Sequence, residues 1–128
     1  MPKWSDYKKV SQERGSLAFE LFVVESTPAV APEELQKILP DHLGYQNKME
    51  QEGKLFLAGP MSDDTGEEMQ GTGMIVYRAA SMEDARAITE ADPMHARGGR
   101  TYKLRKWLVN EGSLTIKVGL STDRTELG

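Results

Sequence analysis

A chain of 128 residues carries Lys+Arg 16 against Asp+Glu 20, a formal net charge of −4, and no cysteine. That length fits one domain with a sizeable core. The composition excludes disulfide scaffolds, thiolate metal sites and a cysteine nucleophile. A negative balance also argues against a general nucleic-acid binder, because such binding rests on a surplus of Lys and Arg set against phosphates. A small anionic ligand in a local basic pocket stays open.

The opening stretch MPKWSDYKKVSQERG has charges but no apolar core, so it does not read as a secretory signal. Residues 1–15 are expected to be an exposed N-terminal extension. No run reaches the eighteen or more apolar residues needed to span a bilayer, and the expected address is the cytoplasm. LAFELFVVES, 17–26, is rich in β-branched and aromatic residues and reads as a buried strand, ended by TPAVAP. Leu35, Ile38, Leu39, His42, Leu43 and Met49 then recur at helical spacing up to Gly53. Pro40 interrupts them, which predicts a short helix before it and a longer one starting near Pro40.

KLFLAGPM, 54–61, reads as a second strand. An acidic and mobile connection leads from it to a third strand, GTGMIVYRA. SMEDARAITEAD carries a capping-box signature at Ser81 and Asp84 and predicts a helix that buries Met82, Ala85 and Ile88. TYKLRKWLV is a fourth strand. LTIKVGL alternates as a further one, and residues 121–128 look like a tail. The order β-α-β-β-α-β with an extra C-terminal strand is an α+β, ferredoxin-like pattern occupying 16–120. Two helices cover one face of such a sheet, so the other, apolar face predicts a homodimer packed sheet against sheet, with the last strand at the interface.

Asp92 lies four residues after Ile88, on the inward stripe of the second helix and at its C-terminal end. Two readings stand side by side. The carboxylate either holds and polarises an imidazole, or caps a short turn begun by Pro93. One carboxylate can do both. His42 is likewise either a proton-transfer group, its ring kept neutral by a helix start near Pro40, or a satisfied core histidine. His95 reads as a surface or turn residue that could reach a pocket mouth. Arg97, Arg100, Lys103, Arg105 and Lys106 form a basic run, most simply a solvated strand face, from which one arginine could hold a substrate carboxylate or phenolate. The acidic cluster Asp63, Asp64, Glu67 and Glu68 lacks the order of a calcium loop, and Gly71-Thr72-Gly73 opens a strand rather than a helix, so neither a metal nor a phosphate cradle is expected.

His42-Leu43 at a helix, Gly53-Lys54-Leu55, Ala58-Gly59-Pro60-Met61, Asp92-Pro93 within DPMHARG, Trp107 and Asn110-Glu111-Gly112 together resemble the YCII family (YciI-like proteins). The resemblance spans about 17–112. It implies ferredoxin-like domains forming dimeric α/β barrels, with a pocket in each protomer and His42 and Asp92 as its active-site groups. Tyr45, Met61, His95 and Arg105 are the expected substrate contacts. One branch of the family includes a dehydrochlorinase acting on a chlorinated hydroxyquinol. The implied function is cofactor-independent proton transfer on a small cyclic or aromatic compound, by elimination, isomerisation or dehalogenation. The alternative is a non-catalytic metabolite-binding or regulatory dimer, or a higher oligomer built from it, with no nucleic-acid, membrane or metal partner. This chain departs from the simplest family pattern at Pro40, at Met94 and in the long 61–70 connection.

Overall fold

A computed structural model describes residues 1–128, and the chain divides into two units, Glu20–Trp107 and the pairing of Met1–Phe19 with Leu108–Gly128. The larger unit is built on strand β1 (Phe19–Pro28), helix α2 (Pro32–Gln51), strands β2 (Leu55–Ser62) and β3 (Met69–Tyr77), helix α3 (Met82–Ala91), the short α4 (Pro93–Ala96) and strand β4 (Arg100–Val109). The helix α1 (Trp4–Glu13) precedes them. The sheet order is β2-β3-β1-β4, with β3 antiparallel to both β1 and β2, which is the ferredoxin-like arrangement.

Register assigns the two faces of the sheet. Phe22 pairs with Tyr77 and Val24 with Ile75, and these four join Met49 of α2 and Ala85 of α3 in one buried cluster. Val23 pairs with Val76, and Leu57 with Val76, so that these three point to the opposite face. Ser81 caps α3 by accepting from the Asp84 amide at 3.1 Å, as its sequence signature predicts. The acidic connection closes as a hairpin turn. Asp63 donates its amide to the Glu68 carbonyl at 2.8 Å and accepts from the Thr65 hydroxyl at 2.6 Å.

Two expectations are corrected. Pro40 does not start a second helix, because α2 runs unbroken from Pro32 to Gln51. Pro40 and Gln36, whose carbonyl loses its intrahelical donor, both lie on the exposed side, where water can take the free carbonyl. The C-terminal strand does not extend over 114–120. It shortens to β5 (Ile116–Val118) and pairs antiparallel with β6 (Thr125–Leu127), in residues that read as a tail, to make a separate two-stranded sheet. The N-terminal stretch is helical, with Trp4, Tyr7 and Ser11 at helical spacing. In its own unit Ser11 is fully buried and Asn110 donates to it at 3.4 Å, while the Asn110 side-chain oxygen accepts from the Ala18 amide at 3.2 Å.

Candidate active site

The segment between α3 and α4 is set by two adjacent residues. Asp92 is extended (φ −62, ψ 125), ending α3, and Pro93 fixes the backbone of the first residue of α4. One Asp92 oxygen accepts from the Met94 amide at 2.9 Å, a side-chain cap. The same carboxylate meets the His42 ring. Nδ1 stands 2.8 Å from Oδ1 and 2.9 Å from Oδ2. The capping and imidazole-holding readings of Asp92 therefore describe one arrangement. Since a carboxylate only accepts, the ring donates from Nδ1, which leaves Nε2 as the nitrogen available for chemistry.

Burial is uneven across the pair. The Asp92 side chain is 0% exposed and that of His42 19% exposed. His42 lies well inside α2, so the helix-terminal field expected from a start near Pro40 does not act on it, because that effect fades within the first turn. Asp41, its neighbour, pairs at 2.7 Å with Arg97 beyond α4, a surface bridge on the same two segments. The burial of Tyr45 and the Asp92 carboxylate push the Tyr45 phenol up to about 12, and its hydroxyl donates to the Ile88 carbonyl at 2.6 Å.

His42 faces a cavity of about 630 Å³ between α2 and the sheet, within the range of small-molecule sites. Leu39, Leu43 and Gln46 line it from α2; Ala58, Pro60 and Ile75 from the strands; Met94 from α4. Ser26 and Arg100 line it as well. Arg100 donates from Nε to Ser26 Oγ at 2.9 Å, and from Nη2 to the Ser26 carbonyl at 2.8 Å and the Gly71 carbonyl. The Gln46 amide and the Tyr77 hydroxyl are buried beside one another, and a side-chain hydrogen bond from Gln46 acts on the Tyr77 phenol.

The sequence-predicted residues divide. His42 and Asp92 come together. Tyr45 packs against the core, Met61 lies outside the cavity lining, and Arg105 is engaged by Glu25 at 2.5 Å. Arg105 belongs to the opposite face of β4 from Tyr102 and Leu104, which pack on the core cluster. His95 does not line this cavity; with Arg100 and Tyr102 it lines a second one. Its Nε2 is 2.8 Å from Ser26 Oγ, its Nδ1 2.9 Å from the Thr89 carbonyl, and its ring 5.0 Å from that of Tyr102. Ser26 and Gln46 were missed. Ser26 had a signal, since it continues the inward alternation Phe22, Val24 with a polar side chain. No group of three or more His, Asp or Glu side chains is placed to hold a metal ion, and no helix is long and apolar enough to cross a membrane.

Fold and site together define a ferredoxin-like α+β domain with a histidine–carboxylate pair on the wall of a cavity sized for a small molecule. Residues 18–108 match the model of the YCII-related domain, and the chain belongs to the YCII family. An uncharacterized protein of Bacillus subtilis (strain 168), YjpA, is 32% identical over 72 residues, 56% of this chain and 78% of that protein. Among solved structures, the fold is similar to that of 5-chloro-2-hydroxyhydroquinone dehydrochlorinase (TftG) from Burkholderia phenoliruptrix AC1100 in complex with 2,5-dihydroxybenzoquinone. The TM-score is 0.50 at 20% identity, covering 80% of this chain and 99% of that one.

Proposed function

We propose that this protein is a cofactor-independent enzyme of proton transfer on a small cyclic or aromatic compound, with His42 as the base and Asp92 as the group that orients it. The observation that carries this reading is the His42 ring, on the lining of the cavity, held through Nδ1 by both oxygens of a wholly buried carboxylate. A carboxylate so placed stabilises the imidazolium that forms when Nε2 takes a proton. In an elimination, Nε2 accepts the proton, the leaving group departs with the electron pair of its bond to carbon, and a new double bond closes the balance. Loss of HCl from a chlorinated ring is one such case. The similarity in fold to a dehydrochlorinase supports that choice of reaction class.

The working unit is a cytoplasmic homodimer packed through the sheet face opposite the helices. Leu57 on that face is 57% exposed, whereas Leu21, Val23 and Val76 on it are buried within the chain, so the dimer rests on the family resemblance. Sedimentation giving a monomer mass at every concentration would remove the dimer.

The test is turnover of a panel of halogenated and hydroxylated ring compounds, beginning with 5-chloro-2-hydroxyhydroquinone, followed by chloride release and absorbance. His42→Gln should lower the rate by roughly 10²-fold or more, the usual worth of a positioned acid or base. Wild-type turnover in that variant would overturn the role of His42. Binding across the panel without any product would make the site a metabolite sensor instead.

A further inference from the structure

Arg100 is a cation without a carboxylate at hydrogen-bond distance. Its three bonds run to neutral oxygens, Ser26 Oγ, the Ser26 carbonyl and the Gly71 carbonyl, and they engage Nε and Nη2 but not Nη1. Burial pulls its pKa down while the Asp92 carboxylate pushes it up, and a guanidinium keeps its charge regardless. A half-buried charge on a cavity lining, with donors left over from these bonds, calls for an anion.

The support behind the guanidinium has a fixed direction. The Thr89 carbonyl can only accept, so His95 donates to it from Nδ1. In the neutral ring His95 Nε2 then accepts, and the Ser26 hydroxyl donates to it. That turns the lone pairs of Ser26 Oγ towards Arg100 Nε. A chain from Thr89 through His95 and Ser26 thus holds the fork still, which lowers the cost of ordering it around a ligand.

Charge is also sorted along the cavity. A Cβ on Gly99 would meet Ile38 Cδ1 at 2.8 Å and Leu35 Cδ2 at 3.3 Å, so Arg100 sits beside the first half of α2. Glu50, the carboxylate of the cavity lining, is at the far end of that helix, about 18 Å beyond Ile38 at helical rise. Asp92, whose charge reaches Arg100, is already engaged by His42 and the Met94 amide, which leaves Arg100 able to take an anion.

We infer that Arg100 is the anion anchor of this cavity, and that the ligand is a small molecule with an apolar, ring-sized body bearing a delocalised oxyanion, either a carboxylate or an acidic enol. The body lies along Leu39, Leu43 and Ile75 towards His42. This deepens the proposed function and rests on its cavity, although anion binding does not require catalysis.

The test is calorimetric titration of the full chain with benzoate and benzamide, alike in shape and different in charge, and with 2,5-dihydroxybenzoquinone as the acidic enol. Wild type should bind at least one of the two anions roughly tenfold or more tightly than benzamide, and the tighter anion names the source of the oxyanion. Arg100→Gln should bring that anion down to the level of benzamide. Arg100→Lys, which keeps the charge without the fork, should fall between them and serves if the glutamine variant does not fold. His42→Gln should retain the preference within about twofold while losing turnover, so the failures of catalysis and of anchoring are separable. Equal affinity for anions and benzamide in wild type, full discrimination in a folded Arg100→Gln, or no saturable anion binding by about 10 mM would overturn the assignment.

Discussion

Replacing Asp92 with alanine removes two hydrogen-bonded functions from one buried position. The first is the cap on the Met94 amide at 2.9 Å, whose loss costs about 1 kcal/mol. The second is the acceptor for His42 Nδ1, and orphaning that donor costs about 1 to 2 kcal/mol, moderated because the His42 side chain keeps 19% of its exposure and can recruit water. Asp92→Ala is therefore expected to lose about 2 to 3 kcal/mol. Asp92→Asn keeps an oxygen for the cap and loses the charge of the pair, which predicts about 1 kcal/mol. His42→Ala leaves a wholly buried carboxylate holding only one amide and should cost about 2 to 3 kcal/mol. The decisive quantity is the coupling in the cycle of His42→Ala and Asp92→Ala, about 1.5 kcal/mol, read from urea midpoints at constant slope. A coupling below about 0.5 kcal/mol would show that the two side chains stand side by side without holding one another, and the orienting role of Asp92 would fall with it.

Other expectations come from separate parts of the fold. Burial first, then the Asp92 carboxylate, raise the phenols of Tyr45, to about 12, and of Tyr77. The folded state holds these protons more tightly than the unfolded chain, so the stabilisation is complete below the ordinary tyrosine value of 10.0 and is lost as pH climbs through about 12. Urea midpoints should fall across that window, and Tyr45→Phe should flatten the fall; a midpoint unchanged from pH 9 to 12 would contradict it. Gly71 has φ +88, and an added Cβ would lie 2.8 Å from Pro28 Cγ, so Gly71→Ala should cost roughly 1 to 3 kcal/mol and shift the carbonyl that holds Arg100. Ser81→Ala should cost about 1 kcal/mol through the lost cap at the Asp84 amide, seen as a thermal midpoint lower by a few degrees.

What the sequence disclosed follows from which periodicities are strong. Phe22, Val24, Ile75, Tyr77 and Ala85 fall on the inward phases of their strands and helix, and these phases fix the ferredoxin-like order before any coordinates. His42 and Asp92 each stood out by interrupting an apolar stripe, but the stripes left a cap and a core histidine equally open, and it was the family resemblance that joined the two. Pro40 misled the reading because the rule against an interior proline assumes the freed carbonyl is buried, whereas here it faces water. The strand at Ile116–Val118 was visible as an alternation, but nothing in that alternation says which edge it joins, and it chose β6. Helix α1 was obscured by the charges around Trp4, Tyr7 and Ser11, a short stripe that signals a helix only once its partner surface is known.

The choice between arginines shows how much further the same periodicity reaches. Tyr102 and Leu104 pack on the core, so the period of β4 sends residue 100 inward with them and residue 105 outward. Arg105 accordingly meets Glu25, whose carboxylate satisfies it and leaves it little capacity to recognise a ligand. Arg100 meets Ser26, where the inward phase of β1 ends in a hydroxyl instead of an aliphatic side chain. Two polar interruptions on adjacent strands, one cationic and one able to turn its lone pairs toward it, make a prepared donor on the cavity lining, while the interruptions on α2 and after α3 bring together the His42 ring and the Asp92 carboxylate, the proposed base and its orienter. A ligand that satisfies the first must present its body to the second, which is why anion selectivity at Arg100 constrains the chemistry open to His42.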